Sequence, residues 1–315
     1  MAAVDPGMLE FYKKLCEHSP PESASWPLDR QRQAWDDVCR MFRASRPERL
    51  IVEDLDANGV HVRIFRPPGN APKPGMIYFH GGGWVLGSCE THDDMCAELA
   101  DRADVVAVLV DYRLAPEHRH PAQLEDSHAV LEWMRSAGRA MGIDPSHIIG
   151  AGDSAGGQMS VGLALSLRDR GLPQLRGQVL IYPVLGADTA TPSYIRNAHA
   201  PCLTRDEMIF YLESFLGPGG GRNWRDPYAV PNIADDVSGL PPAVIAVAEH
   251  DPLCDDGIIF HGKLTAAGVP AMIRREPTLA HSYMRARHVS KPAMEGFDAI
   301  VKAVHLLAHE GALPE

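Results

Sequence analysis

The stretch HIIGAGDSAGG, His147 to Gly157, decides how this chain is read. His147 to Gly150 is a short β-prone run, Gly152-Asp153-Ser154-Ala155-Gly156 interrupts it, and Ala155 to Asp169 continues as an apolar, helix-compatible segment. Passing from strand to helix through one serine requires a sharp turn. The glycines on either side of Ser154 remove side chains that would clash there. Such a turn leaves the Ser154 hydroxyl exposed at the carboxyl end of a strand.

Working outward, Met76 to Phe79, Val105 to Val110, Gln178 to Tyr182, Ala243 to Ala248 and Ala271 to Arg275 are further short runs rich in β-formers. Helix-compatible stretches separate most of them: Thr91 to Arg102, Gln123 to Arg139, Ala155 to Asp169 and Asp255 to Ala267. Apolar strands alternating with helices predict a mostly parallel sheet with right-handed crossovers, a doubly wound α/β fold. Upstream, Arg49 to Asp56 and Val60 to Arg66 flank Asn58-Gly59, which predicts an antiparallel hairpin at the start of the sheet. Residues 1–48 combine apolar and charged positions at helical spacing, with Pro6, Pro20, Pro21 and Pro27 as breakers, and read as a helical arm. Between Tyr182 and Leu240 the alternation stops, leaving one helix at Thr204 to Phe215 and the loop Gly217 to Gly221. An excursion of that length is a lid or binding element in the usual case. The predicted organisation is a core of residues 49–185 and 236–315, with residues 186–235 and the arm forming a cap.

Thirty Lys and Arg against forty-one Asp and Glu give a formal charge of −11, which disfavours nucleic acid or anionic membrane as partners. No apolar run approaches the length of a membrane span, and no cationic segment leads into one at the N-terminus, so a cytoplasmic protein is expected. The six cysteines are scattered without a C-x-x-C pair and read as free thiols. His305 and His309 have i, i+4 spacing but no evident third ligand for a metal.

A serine hydroxyl is a weak nucleophile at neutral pH and needs a base that is itself oriented by a carboxylate. Where a strand-turn-helix of this kind carries the serine, the chain order is serine, acid, histidine. Val244 to Leu253 is a strand that ends in acidic residues, and Asp251 stands where it meets its loop; Glu249 and Asp255 compete for the same role. His281 follows the last predicted strand, with His250, His261 and His288 as rivals. Acyl transfer places negative charge on the former carbonyl oxygen, and bare backbone N–H groups aimed at it lower the barrier. The glycines of His80-Gly81-Gly82-Gly83, at the end of a core strand, can supply such donors together with the N–H of Ala155.

The chain resembles the bacterial hormone-sensitive-lipase-like esterases of the α/β-hydrolase superfamily. The matching pieces are His80-Gly81-Gly82-Gly83-Trp84, Asp111-Tyr112-Arg113-Leu114-Ala115-Pro116-Glu117-His118, Gly152 to Gly157, Asp251-Pro252-Leu253 and His281. The resemblance implies hydrolysis of a small-molecule carboxylic ester by Ser154, Asp251 and His281, with Gly82, Gly83 and Ala155 as the oxyanion hole and no cofactor or metal. It also implies a helical cap and a homodimer through the last strand. An amidase using the same residues, and a receptor that has lost its chemistry, are the alternatives. Ser282 stands where the family usually has glycine, and the arm matches no motif. Asp111, Arg113, Glu117 and His118 are expected to brace the Gly-rich loop, and Glu125-Asp126 to favour a helix start by charge.

Overall fold

The computed structural model describes residues 2–20, 23 and 25–315, so Pro21, one of the arm's expected breakers, lies outside the described residues. The arm folds as two helices. In α1 (Pro6–His18) the Asp5 carboxylate accepts the Met8 N–H at 3.1 Å, and Met8, Phe11 and Leu15 recur on one buried face. Helix α2 (Leu28–Met41) begins directly after Pro27 and buries Ala34, Val38 and Cys39.

The sheet opens with β1 (Ile51–Ala57) and β2 (Val60–Arg66), paired antiparallel about Asn58 and Gly59, both at positive φ as a tight hairpin requires. There follow β3 (Lys73–Phe79), α3 (Asp93–Ala103), β4 (Val106–Val110), α4 (Ala122–Ser136), β5 (Ile143–Asp153), α5 (Ala155–Asp169) and β6 (Gln178–Ile181). After α6 (Pro192–Arg196) and α7 (Arg205–Leu216), the chain returns through β7 (Ala243–His250), α8 (Cys254–Ala266), β8 (Ala271–Ala280) and α9 (Lys291–His309). The eight strands stand in the order β1-β2-β4-β3-β5-β6-β7-β8. Strand β2 runs antiparallel to both its neighbours, and every pair from β4 through β8 is parallel. This is the mostly parallel sheet that the strand-helix alternation predicts, in the arrangement that the resemblance to α/β-hydrolases implies.

Alternation along β3 divides the core. Ile77 and Phe79 face a cluster containing Val130 and Leu131 of α4, Leu163 of α5 and Phe260 of α8, whereas Met76 and Tyr78 face Leu99 of α3 with Phe297 and Val304 of α9. With both faces covered, every parallel strand directs its carboxyl end to one rim. Ser154, Asp251 and His281 all follow strand ends on that rim, after β5, β7 and β8.

Some limits differ from the sequence reading. Strand β8 continues to Ala280 rather than Arg275, because Arg274, Arg275 and Glu276 occupy an edge strand where charged side chains are tolerated. Helix α9, which no motif announces, is capped by Ser290 and buries Phe297, Ile300, Val304 and Leu307.

Beneath the insertion, the fully buried Asp256 accepts the N–H groups of Leu185 and Gly186 at 2.9 and 2.8 Å. Burial outweighs these bonds and pushes its carboxyl from an ordinary 3.8 up to about 7. The folded chain therefore holds this proton to higher pH than the unfolded chain, so the group's stabilising contribution is present below about pH 4 and is lost as pH rises through about 7. Urea unfolding of wild type and Asp256→Asn should show the difference in stability moving against wild type between about pH 5 and pH 7 and levelling above it. A difference independent of pH would refute this.

Candidate active site

Ser154 occupies φ 55° and ψ −118°, a conformation that side chains disfavour. Backbone bonds hold it there: its N–H donates to Ile181 O at 2.8 Å, and its carbonyl accepts from Gly157 and Val184. The turn is tight enough that a Cβ at Gly156 would fall on the Phe79 carbonyl at the end of β3. The glycine thus lets the start of α5 close onto the sheet.

His281 joins the three side chains that the sequence places far apart. Its Nε2 lies 3.0 Å from Ser154 Oγ, and its Nδ1 lies 2.7 Å from Asp251 Oδ2. All three residues are buried, and the Tyr182 ring packs on the imidazole at 4.7 Å. Asp251 Oδ1 accepts the Leu253 N–H at 2.9 Å, so both carboxylate oxygens are engaged. Helix α6 secures the acid's loop: Asn197 Nδ2 donates to the carbonyls of Asp251 and Glu249, and the Ser193 hydroxyl donates to Pro252 O.

The competing residues are committed elsewhere. Glu249 pairs with Arg275, and Asp255 accepts the Ser193 N–H at 2.7 Å. His261 lies within α8, and His288 faces Glu98 at 3.8 Å. His250 closes β7 with no partner for its Nε2 among the described residues.

The Gly-rich loop is held from several directions. Gly82 and Gly83 have φ 121° and 60°, and the Gly82 carbonyl accepts both Val85 and Leu86 N–H groups. The amide N–H groups of Gly82, Gly83 and Ala155 take no acceptor among the described residues. Gly82, Gly83 and Ser154 line a cavity of about 50 Å³ together with Trp35, Met208, Tyr211 and His281. Trp35, Leu86 and Tyr211 also border a larger cavity of about 320 Å³ between the arm and the insertion.

Of the expected bracing residues, Asp111 reaches the segment just after this loop and Glu117 acts on it through Arg32, whereas Arg113 and His118 bond elsewhere. Asp111 accepts the Cys89 N–H, and Glu117 grips Arg32, whose Nε donates to Val85 O at 2.9 Å. Arg113 clasps Asp126 and Glu125, while Gln123 ties the carbonyls of Arg113 and His118 together. Glu125 and Asp126 therefore serve as partners of Arg113 as well as acids in the first turns of α4.

One contributor is not singled out by the motifs. Asp153 Oδ1 accepts Gly81 N–H at 3.1 Å and the Tyr78 hydroxyl at 2.9 Å, fixing the peptide that leads into the bare glycines. Burial alone would raise the Asp153 carboxyl, but His92, Arg285 and the Tyr78 hydroxyl outweigh it and hold it well below the usual carboxylate range. Burial lowers His92 and pushes His80 down to about 3, so Arg285 provides the fixed positive charge. The His80 ring stacks on Tyr112 at 4.2 Å, and the Tyr112 hydroxyl donates to the His80 carbonyl. The aspartate's place inside Gly-Asp-Ser was the available signal, although its partners come from three distant segments.

Ser282 sits at φ 61° and ψ 19°, which explains why glycine suits the position after the histidine. Ser282→Gly should raise stability by about 1 kcal/mol in urea unfolding, and a loss of stability would contradict the strain.

Comparison with known proteins agrees with this geometry. The sequence profile of the alpha/beta hydrolase fold matches residues 76–285. The carboxylesterase NlhH of Mycobacterium tuberculosis is 42% identical over 255 residues, covering 78% of this chain and 79% of that protein. The esterase LipI of the same organism is 40% identical over 269 residues, covering 84% of each. The hyperthermophilic esterase from Pyrobaculum calidifontis superposes with a TM-score of 0.88 at 31% identity, covering 98% of this chain and 99% of the other. With the motif order, the sheet and these likenesses in agreement, the chain belongs to the hormone-sensitive-lipase-like esterases of the α/β-hydrolase superfamily.

Proposed function

We propose that this chain is a carboxylesterase that cleaves small to medium acyl esters through an acyl-enzyme on Ser154. The observation that carries the reading is the imidazole of His281, bonded on one side to the Ser154 hydroxyl and on the other to the buried Asp251. Ser154 Oγ attacks the ester carbonyl carbon while its proton passes to His281 Nε2; Asp251 holds the ring and stabilises the imidazolium. The developing oxyanion takes N–H donors from Gly82, Gly83 and Ala155, each worth roughly 2.7–4 kcal/mol of barrier. Collapse breaks the bond to the alcohol oxygen, which leaves with the proton from His281. Water, deprotonated by the same nitrogen, then adds to the acyl carbon and releases the acid and free Ser154. No step calls for a cofactor.

Names borne by relatives, carboxylesterase and esterase, support ester cleavage over an amidase or an inactive receptor. Residues 1–48 and 186–235 act as the cap, a role supported by Trp35 from one and Met208 and Tyr211 from the other at the cavity beside Ser154. Among the described residues no helix is long and apolar enough to cross a membrane. A cytoplasmic location is supported by the six free cysteines, which suit a reducing compartment.

Ser154→Ala should lower kcat on a short-chain p-nitrophenyl ester by on the order of a millionfold and abolish labelling by a fluorophosphonate. Undiminished turnover by a folded variant would end the proposal. Among the described residues β7 is the one strand paired with β8, and with the Asp5 N–H bonded to Thr278 O the edge left over Ala271 to Arg275 supports a homodimer joined there. Light scattering should give twice the 34.4 kDa chain mass; a single-chain mass at all concentrations would exclude that assembly.

A further inference from the structure

Away from Ser154, three side chains of different chemistry converge where the segment after the Gly-rich loop crosses the sheet. His61 comes from β2, Asp111 directly follows β4, and Cys89 lies between the loop and α3. One ligand atom from each, a ring nitrogen, a thiol sulfur and a carboxylate oxygen, lies within 4.8 Å of the other two. We propose that His61, Cys89 and Asp111 form a site for a divalent cation of zinc-like chemistry, completed by water, which fastens the segment at Cys89 to β2 and β4.

The separations suit such an ion. His61 Nδ1 stands 3.2 Å from Asp111 Oδ2, and tetrahedral zinc with bonds near 2.0–2.1 Å spaces two such ligands by about 3.3 Å. Zinc would bring Cys89 Sγ to about 3.6 Å from the other two ligand atoms, a shift of up to about 1.2 Å from the present bound of 4.8 Å.

The frame is built before any ion arrives. Asp111 N–H donates to His61 O at 3.0 Å, Cys89 N–H donates to Asp111 Oδ1 at 3.3 Å, and the Cys89 thiol donates to Leu109 O. Asp111 thus spends one oxygen on the backbone of Cys89 and keeps the other beside the imidazole. The second ring nitrogen of His61 stands 3.9 Å from Asp54 Oδ2, beyond hydrogen-bond reach, and that oxygen accepts from Arg63 at 2.8 Å. The nearby cation Arg63 is engaged by Asp54, Glu90 and Asp93, so its charge is locally balanced. Half-exposed His61 and partly exposed Asp111 leave an entry path and room for water. Mixed nitrogen, sulfur and oxygen ligands favour zinc, cobalt or cadmium over magnesium or calcium.

Binding forms metal–sulfur, metal–nitrogen and metal–oxygen bonds and releases the Cys89 thiol proton to solvent. Because a proton is released, loading strengthens as pH rises.

The test uses Co²⁺ as a spectroscopic probe and Zn²⁺ as its competitor on the full chain. Expected are one Co²⁺ per chain with thiolate-to-cobalt absorption, displacement by Zn²⁺, and a Tm raised by Zn²⁺. Cys89→Ser should abolish the absorption. His61→Ala, which removes a half-exposed side chain and so spares the core, should weaken Co²⁺ binding by more than about tenfold and cancel the Tm shift. Absence of thiolate absorption in wild type would overturn the site. Absorption unchanged in His61→Ala would also overturn it, by assigning the signal to another cysteine. Neither readout depends on ester turnover, so the site stands or falls separately from the proposed activity.

Discussion

The contact between the first turn of α5 and the last residues of β3 is the constraint to which the other parts of the site conform. With only hydrogen at Gly152 and Gly156, the helix closes onto the carbonyls of Phe79 and His80, and Ser154 is forced into a conformation that most residues avoid. The same closure draws the Gly-rich loop beside the serine, because that loop leaves β3 at the point where the helix lands. The proposed nucleophile and the donors proposed to serve it are therefore set by one packing distance. Cross-bonds from Ile181 and Val184 then resist relaxation of the turn.

Behind this turn lies a second layer in which charge does the positioning. Asp153 anchors the Gly81 peptide, and its negative charge in a dry interior is sustained by His92, Tyr78 and the guanidinium of Arg285, which also donates to Thr91 O. Unpaired, such a carboxylate would take up a proton and accept the Gly81 N–H more weakly. The arm contributes in a comparable way through Arg32, which bonds to Val85 O and Ala115 O while paired with Glu117. Segments outside the central sheet thus stabilise the loop as well as roof the cavity.

Much of this is legible in the sequence because strand ends and glycines are local signals. The sheet follows from alternating runs, and Ser154, Asp251 and His281 each stand just beyond a strand, so their meeting follows once the strands are parallel. What was less visible depends on tertiary partners. Asp255 competes with Asp251 for the acid role until Ser193 of α6 is seen to occupy it. Arg285, His92 and Tyr78 carry no shared spacing, and their grouping around Asp153 exists only after α3 and the segment following β8 are packed. The length of β8 was obscured by charged residues at an edge, where one side of the strand faces solvent.

Trp84 shows how closely roof and floor are joined. Its indole stacks on Phe215 of α7 at 4.1 Å with the planes 6° apart, its ring nitrogen donates to Gln158 of α5, and its backbone carbonyl accepts from Ala115. A single aromatic side chain is thereby shared between the segment that borders the cavity and the loop beside Ser154. Exchanging residues 186–235 for a foreign sequence in order to redirect substrate choice would leave that indole without its flat partner. Transplants into this scaffold should therefore be cut so that an aromatic ring still arrives at position 215.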